Sequence, residues 1–415
     1  MKRSFPLWVA ALAVTTLMQA TSAFLLSAMA VLGPTLTEAA GVRAERIGDL
    51  AAVGAFGTMV FLAGGGPFLA RFGPVRLLQL GTLVAAGALG LALTGWWPAM
   101  LMASLLVGVG YGPSPPAGSD ILHRFAPAGR RSLIFSIKQS AVPLGSALVG
   151  LLVPPLAVAY GWRLGLMIAA ILAGSTILIV QPFRMLIDAD RELHRSLPLS
   201  AFLSFAVLAL PFRVMALSPA LPRLTFIGFA LATMQSCLMG FYVTYLVSDM
   251  RLALASAGVA FAVMQGMGIV GRILFGWIAD RVGSAVHTLR ALALASIGSA
   301  FLTATITPEW PWWAMLLAAA ATGLAAISWN GIYLAEVARM APPGKVGDAT
   351  SGASILTFIG YVLGPASLAL LVQYSDSYRL AFVLMAVLPA VALVLLWRPG
   401  WVQAGEHNLS SNLGK

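Results

Sequence analysis

Two basic residues, Arg272 and Lys138, stand inside long apolar runs, where a charge is costly. Arg272 belongs to the stretch Gly271–Gly283, GRILFGWIADRVG, which closes an apolar run with Asp280, Arg281 and a glycine. Eight residues separate it from Asp280. On a helix rising 1.5 Å per residue, the guanidinium then lies roughly 12 Å below a boundary that suits the Asp-Arg pair. Lys138 follows Arg131 by seven residues and reaches a similar depth, roughly 10 Å. A charge so deep in hydrocarbon costs roughly 2.5–3.5 kcal/mol on insertion scales, and such residues face a partner or a water-filled cavity. Two cations at one level repel each other, and an anion between them relieves the repulsion. Arginine offers a carboxylate a bidentate fork, and lysine a mobile point charge. The structural alternative is pairing with a buried acid or snorkelling to the interface. The nearest acids, Asp120 and Glu336, fall at the ends of their runs, where Arg124 and Arg339 are expected to take them.

Polar residues at similar depths are candidates to complete an anion site. Gln265 lies seven residues, two turns, before Arg272 on one helical face. Asn330 adjoins Trp329, Gln139 adjoins Lys138, and Gln19, Gln235 and Tyr111 fall in three further runs. Amides donate to carboxylate oxygens; the competing role for each is an interhelical hydrogen bond, about 0.6 kcal/mol in membranes. No Asp, Glu or His lies inside a run away from its ends, so a proton relay has no carrier at the midplane, with Asp49 the remaining candidate at an outer end. That favours exchange, facilitated passage, or a proton moving with the substrate. No HExxH or GxSxG motif occurs, and Cys237 is the single cysteine, so no catalytic residue, metal or cofactor is expected.

The elements that must hold these residues are membrane helices. Of 415 residues 60% are hydrophobic and 9% charged, against about a quarter charged in soluble domains, and mean hydropathy is +0.91. Twelve apolar runs are long enough to span a bilayer: 7–32, 47–69, 77–95, 98–121, 133–158, 163–181, 223–247, 255–278, 287–306, 311–336, 349–372 and 379–398. Lys2-Arg3, the run from Leu7 and the small residues Ala20–Ala23 imitate a signal peptide. A repeat described below claims Gln19 for the mature chain, so this run is read as the first span.

With the N-terminus inside, eighteen basic residues fall in cytoplasmic segments, and five (Arg43, Arg46, Arg163, Arg251 and Arg379) fall outside. This asymmetry places both termini in the cytoplasm. Spread over short loops, the net charge of +11 implies no nucleic-acid partner. The partners expected are the lipid bilayer and a small anionic substrate, with the monomer as the working unit. The segment 182–222 reads as a cytoplasmic linker with an interfacial helix. Read as a thirteenth span, it would have to absorb Pro198, Pro211 and Arg213 and would invert the second half.

The two halves repeat. Met18-Gln19 recurs as Met234-Gln235, and Trp162-Arg163-Leu164 as Tyr378-Arg379-Leu380, both at an offset of 216. Arg124-Phe-Ala-Pro-Ala-Gly-Arg130 recurs as Arg339-Met-Ala-Pro-Pro-Gly-Lys345 at 215, and Arg71-Phe72-Gly73 as Arg281-Val282-Gly283 at 210. The domains expected are a six-helix bundle over 1–181, the linker, a second bundle over 223–399 and a cytoplasmic tail over 400–415. The Pro-rich break at 112–116 aligns with Ser328–Gly331, and both are expected to be irregular backbone near the site.

Gly276-Trp-Ile-Ala-Asp280-Arg281-Val-Gly283 resembles the loop 8–9 signature of the major facilitator superfamily, and the resemblance covers the whole chain. Its partner, Gly66-Pro-Phe-Leu-Ala70-Arg71-Phe-Gly73, carries Ala70 where the signature has Asp. Gly145–Gly150 with Pro154-Pro155 lacks the Gly-Pro core of the fifth-span signature, which weakens a drug-efflux reading. The Gly-Arg context of Arg272 is similar to that of the substrate arginine in the oxalate/formate antiporter and monocarboxylate branches. The oxalate branch adds a lysine on span 11; that span has none here, and Lys138 sits on span 5 instead. The resemblance implies an all-α membrane protein of twelve helices in two pseudo-symmetric halves. It further implies a bacterial inner-membrane carrier of a small mono- or dicarboxylate working by alternating access, with Arg71, Asp280 and Arg281 at the cytoplasmic gate. The competing reading is a multispecific drug or metabolite efflux carrier.

Overall fold

The structure, a computed structural model, describes residues 7–125, 134, 137–189, 191, 220–341 and 346–398. Most of the linker, including its expected interfacial helix, and the tail over 400–415 lie outside the described residues. Among the described residues every regular element is a helix. In chain order they are α1 (Leu7–Val31), α2 (Gly33–Ala39), α3 (Ile47–Gly64), α4 (Gly66–Phe72), α5 (Pro74–Ala92), α6 (Trp97–Tyr111), α7 (Ser114–Phe125), α8 (Ala141–Tyr160) and α9 (Trp162–Ile187). There follow α10 (Ala220–Ser248), α11 (Leu254–Val282), α12 (Ala285–Thr305), α13 (Trp312–Ala326), α14 (Asn330–Met340), α15 (Val346–Ser375), α16 (Tyr378–Met385) and α17 (Val387–Trp397).

Ten of the twelve expected spans are long and apolar enough to cross a membrane, which makes this a multi-pass membrane protein. The other two, 47–69 and 98–121, are each divided into two helices. The first divides at Gly65, between α3 and α4, and the second at Gly112-Pro113, between α6 and α7. Proline lacks the N–H that would continue the ladder. The second half breaks at the corresponding place, between α13 and α14 over 327–329. An irregular segment falls at each place expected from the sequence, but both are shorter: Ser114–Pro116 already belong to α7, and the second segment covers 327–329, with Asn330 and Gly331 in α14.

The repeat has a structural counterpart at the helix ends of both halves. Arg163, at the start of α9, donates from Nε to the Leu93 carbonyl just beyond α5, at 2.9 Å. Its repeat mate Arg379, at the start of α16, donates from Nη2 to the Ile306 carbonyl just beyond α12, at 3.2 Å. In both halves an arginine satisfies a carbonyl that a helix end leaves open. The Asp120 and Glu336 pairings are also as expected. Arg124 Nη2 lies 3.0 Å from Asp120 Oδ2, and Arg339 Nε lies 2.8 Å from Glu336 Oε2.

The chain forms two compact units. One comprises Met1–Leu203 with Met239–Gly266, the other Ser204–Leu238 with Met267–Lys415. In the first, α6 packs on α3 and α5, α1 on α8, and α9 on α5. The α3–α6 crossing is so close that a Cβ on Gly108 would come within 1.8 Å of the Gly54 carbonyl oxygen, the backbone approach that small residues permit in membranes. In the second, α12 packs on α13, α16 and α17, and α14 on α15. Its core gathers Leu221, Leu224, Ile227, Trp329 and Tyr333.

Candidate functional site

The first unit holds Gln19, Tyr111, Lys138, Gln139 and Gln265; the second holds Gln235, Arg272, Trp329 and Asn330. Each group stands in its own setting.

In the first unit Lys138, in the span Ile137–Tyr160, is 2% exposed. Its stem lies along the bare backbone of α7 at Gly118, where a Cβ would come 2.6 Å from Cε and 3.0 Å from Nζ. The ammonium donates to Gln139 Oε1 at 3.5 Å and forms no ion pair among the described residues. Gln139 Oε1 also accepts from Gln19 Nε2 on α1, at 3.3 Å. Gln19 is itself 2% exposed, and its Oε1 has no hydrogen-bond partner. Gln265, on α11, is 1% exposed with neither end of its amide bonded. Tyr111, the last residue of α6, is buried where that helix breaks. Beside this cluster Ser114 Oγ donates to Ser22 Oγ at 2.9 Å and ties the start of α7 to α1. Sequence and fold thus bring Lys138, Gln139 and Gln19 together, with the Gln19 carbonyl oxygen left without a hydrogen-bond partner.

The second unit is more nearly satisfied. Trp329 Nε1 donates to Gln235 Oε1 at 3.0 Å, with both residues fully buried, and Trp329 meets Tyr333 edge to face at 5.4 Å. Arg272 is half-buried, and its Nε donates at 3.2 Å to the carbonyl of Ile327, where the α13 ladder stops. Gly271 makes this contact possible: a Cβ there would come 2.0 Å from Ser328 Oγ. The Gly-Arg pair therefore serves the helix break, the glycine by letting α11 approach and the arginine by donating to a carbonyl at the end of α13. Asn330 begins α14 and is half-buried.

Of the three gate candidates, Arg71 lies in the last turn of α4 and is half-buried, whereas Arg281 is exposed with its guanidinium 4.9 Å over the Trp277 ring. Asp280 lies on α11, but its side chain falls outside the described residues. Beside Arg71 the structure reveals a residue that sequence reasoning missed. Helix α5 begins at Gly73-Pro74 with no capping side chain of its own, and Asp188, just beyond α9, supplies the cap. Its Oδ1 accepts from Val75 N at 2.8 Å and its Oδ2 from Arg76 N at 2.9 Å. Arg184 Nε stands 3.8 Å from the same carboxylate. Burial pushes the Asp188 carboxyl above its ordinary range, against the downward pull of the two N–H groups, Arg184 and Arg191. The signal available in the sequence was a helix start without Ser, Thr, Asn or Asp at its N-cap.

Among the described residues no group of three or more His, Cys, Asp or Glu is placed to hold a metal ion. The family model described as Major Facilitator Superfamily matches residues 12–350. An uncharacterised MFS-type transporter of Mycobacterium tuberculosis is 28% identical over 291 residues, 70% of this chain, and the match spans only 62% of that relative's length. A hexuronate transporter of Bacillus subtilis is 22% identical over 72% of this chain and 73% of its own. Among solved structures, a bacterial homologue of the human lysosomal transporter Spinster superposes with a TM-score of 0.74 at 15% identity, covering 96% of this chain and all of the other.

Proposed function

This chain belongs to the Major Facilitator Superfamily, and from that premise we propose that it carries a small organic anion, a mono- or dicarboxylate, across the bacterial inner membrane by alternating access of its two halves. One observation carries the reading: Lys138 is an ammonium buried in a span, with one long hydrogen bond and no acid beside it among the described residues. A buried charge without a counter-ion costs several kcal/mol, and a carboxylate entering the site offsets that cost by a charge-assisted bond. The hexuronate transporter among the relatives, whose named substrate is a carboxylate, supports the same class. In this reading Lys138 is the principal anion contact, with Gln19, Gln139 and Gln265 around it. Tyr111 adds to it within the same unit; Arg272, Gln235, Trp329 and Asn330 are candidate contacts of the second unit, and Arg71 in the first unit and Asp280 and Arg281 in the second are candidate gate residues. The carrier works as a monomer with both termini in the cytoplasm.

The test is thermal unfolding of the purified full-length protein with acetate, lactate, succinate and D-glucuronate, on wild type and Lys138→Met. A ligand at 100 times its dissociation constant that binds only the folded state adds about 2.7 kcal/mol. The expected result is that at least one acid raises the wild-type Tm and none raises that of Lys138→Met. The ligand-free variant should be the more stable of the two proteins, because its buried charge is gone. If lipophilic cations stabilise the wild type and no carboxylate does, the anion reading falls and the multispecific efflux reading replaces it.

A further inference from the structure

Lys138, Gln139 and Gln19 determine one another's orientation. An ammonium has only donors, so the Gln139 atom it meets at 3.5 Å must be the amide oxygen. That oxygen also faces Gln19 at 3.3 Å, so Gln19 must present its NH2 there. The Gln19 carbonyl, an acceptor, is thereby turned away, and it is the atom left without a partner in a side chain 2% exposed. Amide orientation is ordinarily a matter of assignment; with Lys138 protonated, its donor-only ammonium decides it. The cluster therefore has two unequal needs, an anion for the ammonium and a hydrogen-bond donor for the Gln19 carbonyl, both within one short network.

Resting on the carboxylate reading above, we infer that the substrate is a hydroxylated carboxylate, its carboxylate meeting Lys138 and a neighbouring hydroxyl donating to Gln19 Oε1. A plain monocarboxylate, a halide or a sulfate satisfies the ammonium and leaves the buried carbonyl unmet, at the desolvation penalty of an unpaired acceptor. An amino acid brings a donor, but its ammonium would be held near that of Lys138, where like charges repel. A hydroxy acid meets both needs without a second positive charge. Sites built to hydrogen-bond a substrate hydroxyl reject the analogue lacking it far more strongly than apolar pockets discriminate by size. Gln19 is thus a specificity-determining residue, and Lys138 acts on specificity by orienting it as well as by binding the anion.

The experiment compares acids that differ only in hydroxyls, on the purified full-length protein: glycolate with acetate, lactate with propionate, and D-glucuronate with tetrahydropyran-2-carboxylate. Dissociation constants come from ligand-dependent thermal shifts. At least one hydroxy acid is expected to bind wild type ten-fold or more tightly than its partner. In Gln19→Met that ratio should fall toward one. Equal affinities within every pair on wild type overturn the hydroxyl inference and leave the carboxylate reading standing. Absence of any carboxylate binding overturns both. A preference that survives intact in Gln19→Met assigns the hydroxyl contact elsewhere and also sinks the inference. The wild-type pairs decide the matter even if the variant fails to fold.

Discussion

At the scale of single residues, the two basic residues that look alike in sequence have opposite energetic roles. Lys138 lacks a counter-charge among the described residues, so removing its charge should stabilise the ligand-free protein, as set out above. Arg272 bonds through Nε to the Ile327 carbonyl, and Arg272→Ala should lower stability by about 1.5–3 kcal/mol, the worth of a hydrogen bond to a charged group. Thermal unfolding of the two variants side by side reads the difference in sign. A shift in the same direction for both would refute the assignment of roles. Gly271→Ala should be more damaging than an ordinary glycine substitution, because its methyl would meet Ser328 Oγ at 2.0 Å. Overpacking of this kind costs about 1–3 kcal/mol. Ser328→Ala, which removes a buried hydroxyl without a hydrogen-bond partner, should recover part of that loss in the double variant. A strictly additive double-mutant cycle would mean that the two residues do not touch.

At the scale of elements, the chain ties helix ends together across sequence with single side chains. Arg163 and Arg379 do so at the ends of α5 and α12, and Asp188 does so at the start of α5. Gly73 is required there twice over: its φ is +82°, and a Cβ would come 2.6 Å from the Asp188 carboxyl carbon. The loop 2–3 signature that lacks its acid at Ala70 is therefore next to a carboxylate delivered from α9. In Asp188→Asn the amides of Val75 and Arg76 should exchange with deuterium faster than in wild type, since a neutral amide offers one acceptor where the carboxylate offers two. The pH dependence has a definite sign. A carboxyl raised in the folded protein keeps its proton where the unfolded chain has lost it. The folded state therefore gains stability as pH falls from the raised value toward the ordinary 3.8. Tm measured against pH should move in favour of wild type over Asp188→Asn across that window. A drift the other way would mean that the N–H groups and arginines outweigh burial.

At the scale of the whole molecule, ten helices among the described residues meet the length and composition of a membrane span, and the Lys/Arg asymmetry of the loops predicts their direction. A fluorescent protein fused after Lys415 should fold and fluoresce in bacterial cells, while alkaline phosphatase inserted near Thr94 should be active, as only an outer loop permits. Phosphatase activity at the C-terminus would reverse the orientation.

The sequence by itself determined the class, ten of the twelve expected spans and the recurring segments. Apolar runs of bilayer length and Lys/Arg asymmetry are properties of composition along the chain, and a duplicated half preserves spacing wherever its parts pack. It also pointed to the breaks near Gly112 and Ser328, the first by its prolines and the second by the repeat, though not to the one at Gly65. It paired Asp120 and Glu336 with arginines three or four residues away. Only the tertiary structure decided how the polar residues inside the spans are used. Gln19 and Gln235 are repeat mates, yet one has a carbonyl without a partner and the other accepts from Trp329, 94 residues distant. Arg272 meets a carbonyl 55 residues on, and Asp188 caps a helix 113 residues back. These are contacts between helices remote in sequence, and hydrogen bonds are satisfied by what lies within about 3 Å in space, a distance that no periodicity along the chain encodes.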